Sequence, residues 1–379
     1  MLFNIRTPLS ALALVPMASA AVLDLPIQFR NSYAMVEVEA GTPPVNHVLL
    51  FDTGSATTWM VDNECADTCS NFSGYSRSGY DINASSTASS LGTYDSIDYL
   101  GGVTAGVGLE DTFTLGDTHW NQTFMAANES SWAWIPGDGF LGLAFSTIAD
   151  AGAKTMVETL IQAGLLDKPR FSLYYGKEFN DTNGVPGEGV LTFGASEEEK
   201  YVDGDLAWFP VQIISGEYQL WRSTMRGTTG KLGDKETETT AEYSWVVFDT
   251  GAGGMSVPPG KIDSIYESFG MNFSAILNGD HIPLCSEFNS TWSVTFTIGD
   301  SDETAQNITL TGDQLARPGF AYRDDACFPP FDDSGVDGFY LFGTPFLHQL
   351  YSVYDFGSEY VAGYLPRIGL GQLKPEYKP

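Results

Sequence analysis

Apolar positions along this chain fall in short runs and alternations rather than at helical spacing. Leu23, Leu25, Ile27 and Phe29 alternate with Asp24, Pro26 and Gln28, which predicts a first strand. Leu49-Leu50-Phe51 and Val246-Val247-Phe248 are continuous apolar runs of the kind that form buried strands. Each delivers an aspartate into a tight Gly-containing turn, Asp52-Thr53-Gly54-Ser55 and Asp249-Thr250-Gly251-Ala252, the second 197 residues after the first. Each turn also has an echo. Ninety residues after Asp52 stands Gly142 in Phe140-Leu141-Gly142-Leu143-Ala144, and 94 after Asp249 stands Gly343 in Phe339-Tyr340-Leu341-Phe342-Gly343. One D-T-G tripeptide means little in a chain of this size, whereas two copies with the same partner at nearly the same spacing mark an internal repeat.

Composition agrees with a β-rich chain in two halves. The 379 residues fit roughly two domains, and 41 glycines favour strands and turns over long helices. A hydrophobic fraction of 43% supplies ample surface to bury. The 48 acidic against 18 basic residues leave −30 at pH 7, a field that repels phosphate and so excludes nucleic acid and anionic membrane surfaces as partners.

The start reads as a secretory signal over residues 1–20, with Arg6, an apolar stretch from Leu9 to Val15 and the small-residue site Ala18-Ser19-Ala20. Pro16 interrupts that stretch, which is too short to span a bilayer. Gly371 to Pro379 is polar and offers no hydrophobic tail, so no membrane anchor is expected. Eight N-x-[ST] sequons, at Asn71, Asn83, Asn121, Asn128, Asn180, Asn272, Asn289 and Asn307, are glycosylation candidates in an exported chain. Four cysteines allow three pairings. The economical one joins Cys65 to Cys69 and Cys285 to Cys327, within each half. A metal reading of Cys65 and Cys69 has no histidine cluster to support it, and no metal or cofactor is expected.

The repeat has a chemical consequence. A lone buried carboxylate is costly unless paired or hydrogen-bonded. Two identical units related by a pseudo-two-fold axis would set Asp52 and Asp249 side by side, where like charges cannot both ionise and the pair holds one proton. One residue type then supplies an acid and a base, which is what adding water to an amide requires.

These residues resemble the pepsin-like aspartic endopeptidases over nearly the whole expected mature chain. Besides the two turns, Trp59 stands seven residues after Asp52, where the family has a tryptophan that hydrogen-bonds the flap tyrosine. Ser96-Ile97-Asp98-Tyr99 is similar to the flap hairpin, and Asp138-Gly139-Phe140-Leu141-Gly142-Leu143-Ala144 to the family's D-G-[IF]-L-G-L-A segment. Phe171-Ser172-Leu173-Tyr174 and Trp208-Phe209-Pro210-Val211 resemble strands around the lobe junction.

The resemblance implies a mainly β, bilobal fold of two pseudo-symmetric barrel-like lobes with a cleft between them, residues 21–194 carrying Asp52 and the flap, and 195–379 carrying Asp249. It implies a secreted, monomeric endopeptidase acting on proteins or peptides through Asp52 and Asp249, with a vacuole as the less favoured destination. Thr53 and Thr250 are expected to bond across the axis and Ser55 to donate to Asp52, with Gly54 and Gly251 letting the backbone close in. Leu50, Tyr99 and Phe140 would line an apolar pocket that prefers bulky hydrophobic side chains.

Departures from the family pattern are informative. Ala252 replaces a hydroxyl residue, so Asp249 should lack a donor, and activity should reach less acidic pH than in an Ala252→Thr variant. Leu100 and Gly101 replace the usual Gly-Thr after the flap tyrosine, and Gly253 stands where a hydroxyl often contacts substrate. The first mature strand follows the signal directly, without a basic prosegment, which leaves compartment pH as the expected control. The rival class, a catalytically silent binding or inhibitor protein of the same shape, typically lacks an active-site aspartate or the flap; Asp52, Asp249 and Tyr99 all stand here. Gly137-Asp138-Gly139-Phe140-Leu141-Gly142 also satisfies G-x-G-x-x-G, but no βαβ pattern surrounds it.

Overall fold

The computed structural model describes residues 21–177 and 185–379; the signal reading and the Asn180 sequon lie outside them. The first half forms strands β1 (Leu23–Arg30), β2 (Tyr33–Ala40), β3 (Val45–Asp52), β4 (Trp59–Val61), β5 (Ser89–Tyr99), β6 (Gly102–Leu115), β7 (Thr118–Ser130), β8 (Gly139–Gly142), β9 (Arg170–Tyr174) and β10 (Pro186–Phe193). The second half adds β11 (Ala207–Pro210), β12 (Arg222–Leu232), β13 (Lys235–Phe248), β14 (Met255–Val257), β15 (Trp292–Ile298), β16 (Gln306–Thr311), β17 (Asp332–Asp333), β18 (Phe339–Phe342), β19 (Leu350–Asp355) and β20 (Arg367–Gln372). Helices are short, the longest described one running over the ten residues Pro259–Ser268. The molecule is mainly β, as the repeat and composition predict.

Two sheets hold the strands. One of 13 strands runs β11-β20-β19-β9-β10-β1-β2-β3-β8-β4-β7-β6-β5, and one of seven runs β16-β15-β12-β13-β18-β14-β17. The large sheet draws on both halves of the chain, because β19 pairs with β9 and β20 with β11. The segments around Phe171 and Trp208 therefore lie where the two halves share a sheet. Alternation sets which side chains face inward: in β15, Trp292, Val294, Phe296 and Ile298 are buried and the residues between them half-exposed.

The sequence repeat is a repeat of pairing. β3 runs parallel to β8, with Leu50 beside Phe140 and Asp52 beside Gly142, while β4 lies antiparallel on β8 with Trp59 beside Phe140. In the second sheet β13 runs parallel to β18, with Phe248 beside Phe342, and β14 lies antiparallel on β18. Both echo glycines are sites of close backbone approach. A Cβ on Gly142 would lie 2.3 Å from the Ala56 carbonyl carbon, and one on Gly343 would lie 2.2 Å from the Ala252 carbonyl oxygen. That contact excludes any larger residue at either place. Gly137–Gly142, the dinucleotide-like match, runs into strand β8 rather than opening an α-helix after a strand, unlike a dinucleotide-binding turn.

Both disulfides join cysteines within one half. Cys65–Cys69 spans four residues around a short helix, Asn63–Thr68, that Asp62 caps by accepting from the Cys65 N–H at 2.7 Å. Cys285–Cys327 closes a 42-residue separation, a loop length that contributes about 3–4 kcal/mol by restricting the unfolded chain.

Candidate active site

Asp52 and Asp249 end two buried strands that point into a common cleft. Gly54 and Gly251 place them face to face. A Cβ on Gly54 would sit 2.5 Å from the Asp249 carboxyl carbon, and one on Gly251 would sit 2.5 Å from an Asp52 oxygen. Each turn's glycine thus leaves the space that the other turn's carboxyl fills. The same glycines donate locally, Gly54 N–H to Asp52 and Gly251 N–H to Asp249, both at 2.8 Å.

The two threonines lock the turns together reciprocally. Thr53 N–H donates to Thr250 Oγ1 at 3.0 Å, and Thr250 N–H donates to Thr53 Oγ1 at 2.9 Å. Thr53 Oγ1 in turn donates to the Phe248 carbonyl at 2.7 Å and Thr250 Oγ1 to the Phe51 carbonyl at 2.8 Å. All four bonds are buried, where an unmade one is expensive. Thr344, just after Gly343, adds a hydroxyl bond to the Ala252 carbonyl at 3.1 Å.

The symmetry breaks at the third residue after each aspartate. Ser55 Oγ donates to Asp52 Oδ2 at 2.5 Å, while Ala252 offers no hydroxyl. Burial first, and then the Asp52 charge, hold the Asp249 carboxyl well above the usual carboxylate range, against the Gly251 and Ala252 amides. The donors thus differ between the two turns, and the surroundings of Asp249 favour its protonated form.

The cleft encloses about 1480 Å3 and is lined by Leu50, Asp52, Gly54, Ser55, Tyr99, Leu100, Gly101, Phe140, Asp249, Thr250, Gly251, Ala252 and Gly253. Thr53 and Trp59 do not line it; Thr53 holds the turns from behind and Trp59 is buried against Phe140, with ring centroids 4.9 Å apart. Tyr99 ends β5, and Leu100 and Gly101 make the turn of the β5–β6 hairpin, with Leu100 93% exposed at its tip. The Tyr99 ring lies 5.5 Å from Phe140, and burial foremost, then the Asp52 charge, raise its hydroxyl pKa. Neither Trp59 Nε1 nor the Tyr99 hydroxyl closes a hydrogen bond of good geometry, although the two are near enough to interact electrostatically.

Sequence reasoning passed over Trp132. Its ring lies 5.6 Å from Tyr99 and 5.0 Å from Phe140, and a Cβ on Gly101 would approach it to 2.7 Å. The hairpin tip is glycine because it rests on this indole. Arg77 fixes Trp132 by donating to its carbonyl at 2.6 Å. Only a bias toward aromatics in Trp132-Ala133-Trp134 signalled it in the sequence, and a contact between positions thirty apart has no local period.

Among the described residues no cluster of three or more His, Cys, Asp and Glu is arranged to hold a metal, and no helix is long and apolar enough to cross a membrane.

Comparison with known proteins agrees with this geometry. A family model described as eukaryotic aspartyl protease matches residues 32–363. A probable vacuolar protease A of Trichophyton verrucosum (strain HKI 0517) is 31% identical over 335 residues, covering 87% of this chain and 77% of that protein. Rhizopuspepsin-2 of Rhizopus niveus is 33% identical over 325 residues, 84% of this chain and 75% of the relative. Napsin-A of Homo sapiens is 27% identical over 361 residues, 91% and 79% of the two chains.

Proposed function

The chain belongs to the eukaryotic aspartyl proteases, and on that premise we propose that Asp52 and Asp249 are its catalytic pair. It is an aspartic-type endopeptidase of bilobal, pepsin-like fold, and its substrates are proteins or peptides. The observation that supports the pair is the reciprocal packing of each turn's glycine against the other's carboxyl.

The chemistry follows from one shared proton. A water held between the carboxyls gives a proton to ionised Asp52 as its oxygen bonds to the scissile carbonyl carbon. Asp249 gives its proton to the carbonyl oxygen, leaving a neutral tetrahedral diol and no covalent enzyme intermediate. Collapse of the diol breaks the C–N bond as the departing nitrogen takes the proton from Asp52, and a diol hydroxyl returns one to Asp249. The Gly54 and Ser55 donors hold the Asp52 carboxyl in place throughout, so little reorganisation is needed.

Tyr99, Leu100 and Gly101 act as a lid that covers extended substrate, with Trp132 as its rest. Leu50, Phe140 and Tyr99 form the apolar wall that selects a bulky hydrophobic residue beside the cut. Gly253, beyond whose Cβ position nothing lies within 4 Å, leaves its stretch of the wall open. The chain is exported and works as a monomer, residues 21–194 forming one lobe and 195–379 the other. The exposed Asn83, Asn121, Asn128, Asn272 and Asn307 are the sequons best placed to carry glycans.

Hydrolysis of a denatured protein at acidic pH tests the assignment. Asp52→Asn is expected to remove at least about a thousandfold of the rate. Activity persisting in that variant would sink the pair.

A further inference from the structure

Beyond the dyad, the second-lobe wall of the cleft carries one fixed positive charge. Arg317 lines the cleft and is held on two carbonyls, donating through Nη1 to Gly253 at 3.1 Å and through Nη2 to Pro329 at 3.3 Å. Its guanidinium carbon stands 5.6 Å from the Phe328 ring centre, and Phe328 also lines the cleft. Among the described residues it has no carboxylate within ion-pair distance, since Arg317 enters none of the salt bridges. Asp332, whose carboxylate would lie 3.5 Å from a Cβ on Gly254, is the nearest offsetting charge on this wall.

A guanidinium has five N–H donors in a planar fork, and the two carbonyls leave donors over. A partly buried charge offset by a carboxylate beyond ion-pair distance is still costly, so the site gains when a ligand supplies a closer anion. The clamp on Gly253, four residues past Asp249, fixes that charge beside the path of an extended chain whose scissile bond lies at the dyad. We infer that Arg317 is a specificity-determining residue that selects a substrate carrying an acidic side chain at one position near the cut. This rests on the proteolytic reading of the same cleft. It runs against the molecule's overall charge of −30, which repels acidic peptides at long range. The selectivity is therefore local, carried by a charge-assisted hydrogen bond rather than by the general field.

The test uses peptides sharing one hydrophobic scissile pair, with Glu or Gln placed in turn at each of the flanking positions, assayed near pH 5.5 where free Glu is ionised. The wild type is expected to cleave one Glu peptide with kcat/KM roughly tenfold above its Gln counterpart, the size of one such bond in a partly wet cleft. Arg317→Met should bring that ratio to about one, Arg317→Lys should retain part of it, and Asp332→Asn should raise it by removing the offsetting charge. Cleavage with a Glu/Gln ratio near one at every position overturns the inference and leaves the protease reading intact. A ratio that survives Arg317→Met, or falls in proportion with all peptides alike, assigns Arg317 to holding the Gly253 loop and also overturns it. Failure to cleave any peptide removes the protease reading and this inference together. The ratio in the unmodified enzyme decides the matter even if Arg317→Met does not fold.

Discussion

The two aspartate turns share a backbone and differ in their donors. On the first, Asp52 accepts from the Gly54 amide and the Ser55 hydroxyl; on the second, Asp249 accepts from the Gly251 amide, with alanine where the serine would be. The surroundings diverge in the same direction. Asp138, four residues before the echo glycine Gly142, is a buried carboxylic acid, whereas Phe339, four before Gly343, lies 6.0 Å from Trp245. Duplication accounts for two carboxyls meeting. Departure from duplication gives the two different surroundings, and a fully symmetric pair would have no preferred acid and no preferred base.

The largest test of that division is Asp249→Asn set beside Asp52→Asn. Both should lose at least about a thousandfold in kcat, because each removes one partner of the shared proton. Binding of an uncleaved peptide should survive in both, which separates loss of chemistry from loss of the cleft. A variant retaining a tenth of the rate would show that the second carboxyl is dispensable and the comparison misplaced.

Next in size comes the lock behind the turns. Thr53→Val leaves the Thr250 N–H and the Phe248 carbonyl buried without partners, and Thr250→Val does the same to the Thr53 N–H and the Phe51 carbonyl. Each should cost about 2–4 kcal/mol in denaturant unfolding, and the double variant should cost less than the sum because the bonds form one network. Here the two turns should behave alike. Clearly unequal losses would mean that the asymmetry reaches the scaffold as well as the proton.

What was legible from the sequence is what local patterns encode. An apolar run closing on Asp-Thr-Gly predicts a buried strand and a turn at residue resolution, and β3 and β13 end where Phe51 and Phe248 meet their aspartates. The echo segments were legible because Gly142 and Gly343 must be glycine for the backbones to touch. Contacts between distant segments were not. Nothing periodic in residues 350–372 announces that β19 and β20 join the sheet begun by β1. Trp132 under the flap tip, and Arg317 clamped on Gly253, owe their places to pairings between segments thirty or more residues apart. Asp138 was visible as part of a motif, yet its burial and its bonds to Val48 and Ser78 were not.

That buried acid gives a test of similar or slightly smaller size. Burial pushes the Asp138 carboxyl up to about 6, although the Val48 and Ser78 amides and the charges of Arg30 and Arg77 pull it down. A folded-state pKa above the ordinary value of 3.8 means that folding favours the protonated form. Its contribution is complete below about pH 4 and is lost as pH rises through 6, an effect of about 3 kcal/mol. Melting curves from pH 4 to 7 should fall more steeply for the wild type than for Asp138→Asn, which stays neutral throughout. The general repulsion among the acidic side chains remains in both and lowers both at high pH. Parallel slopes would place the pH sensitivity elsewhere and remove this difference between the lobes.

The smallest effect bears most directly on the two turns. Ala252→Thr gives the second turn the hydroxyl that Ser55 gives the first, and a donor to Asp249 stabilises its ionised form. The pair works while it holds one proton, so the upper limb of the pH–rate profile marks the loss of that proton. With alanine the proton stays on to higher pH, because burial and the Asp52 charge already raise Asp249 and only backbone amides oppose them. The added hydroxyl should move the upper limb of kcat/KM toward acid by about half a unit to one unit, the equivalent of roughly 1 kcal/mol. An upper limb that stays put or climbs in Ala252→Thr would show that the missing hydroxyl does not set the working pH, and the two turns would then differ in form without differing in duty.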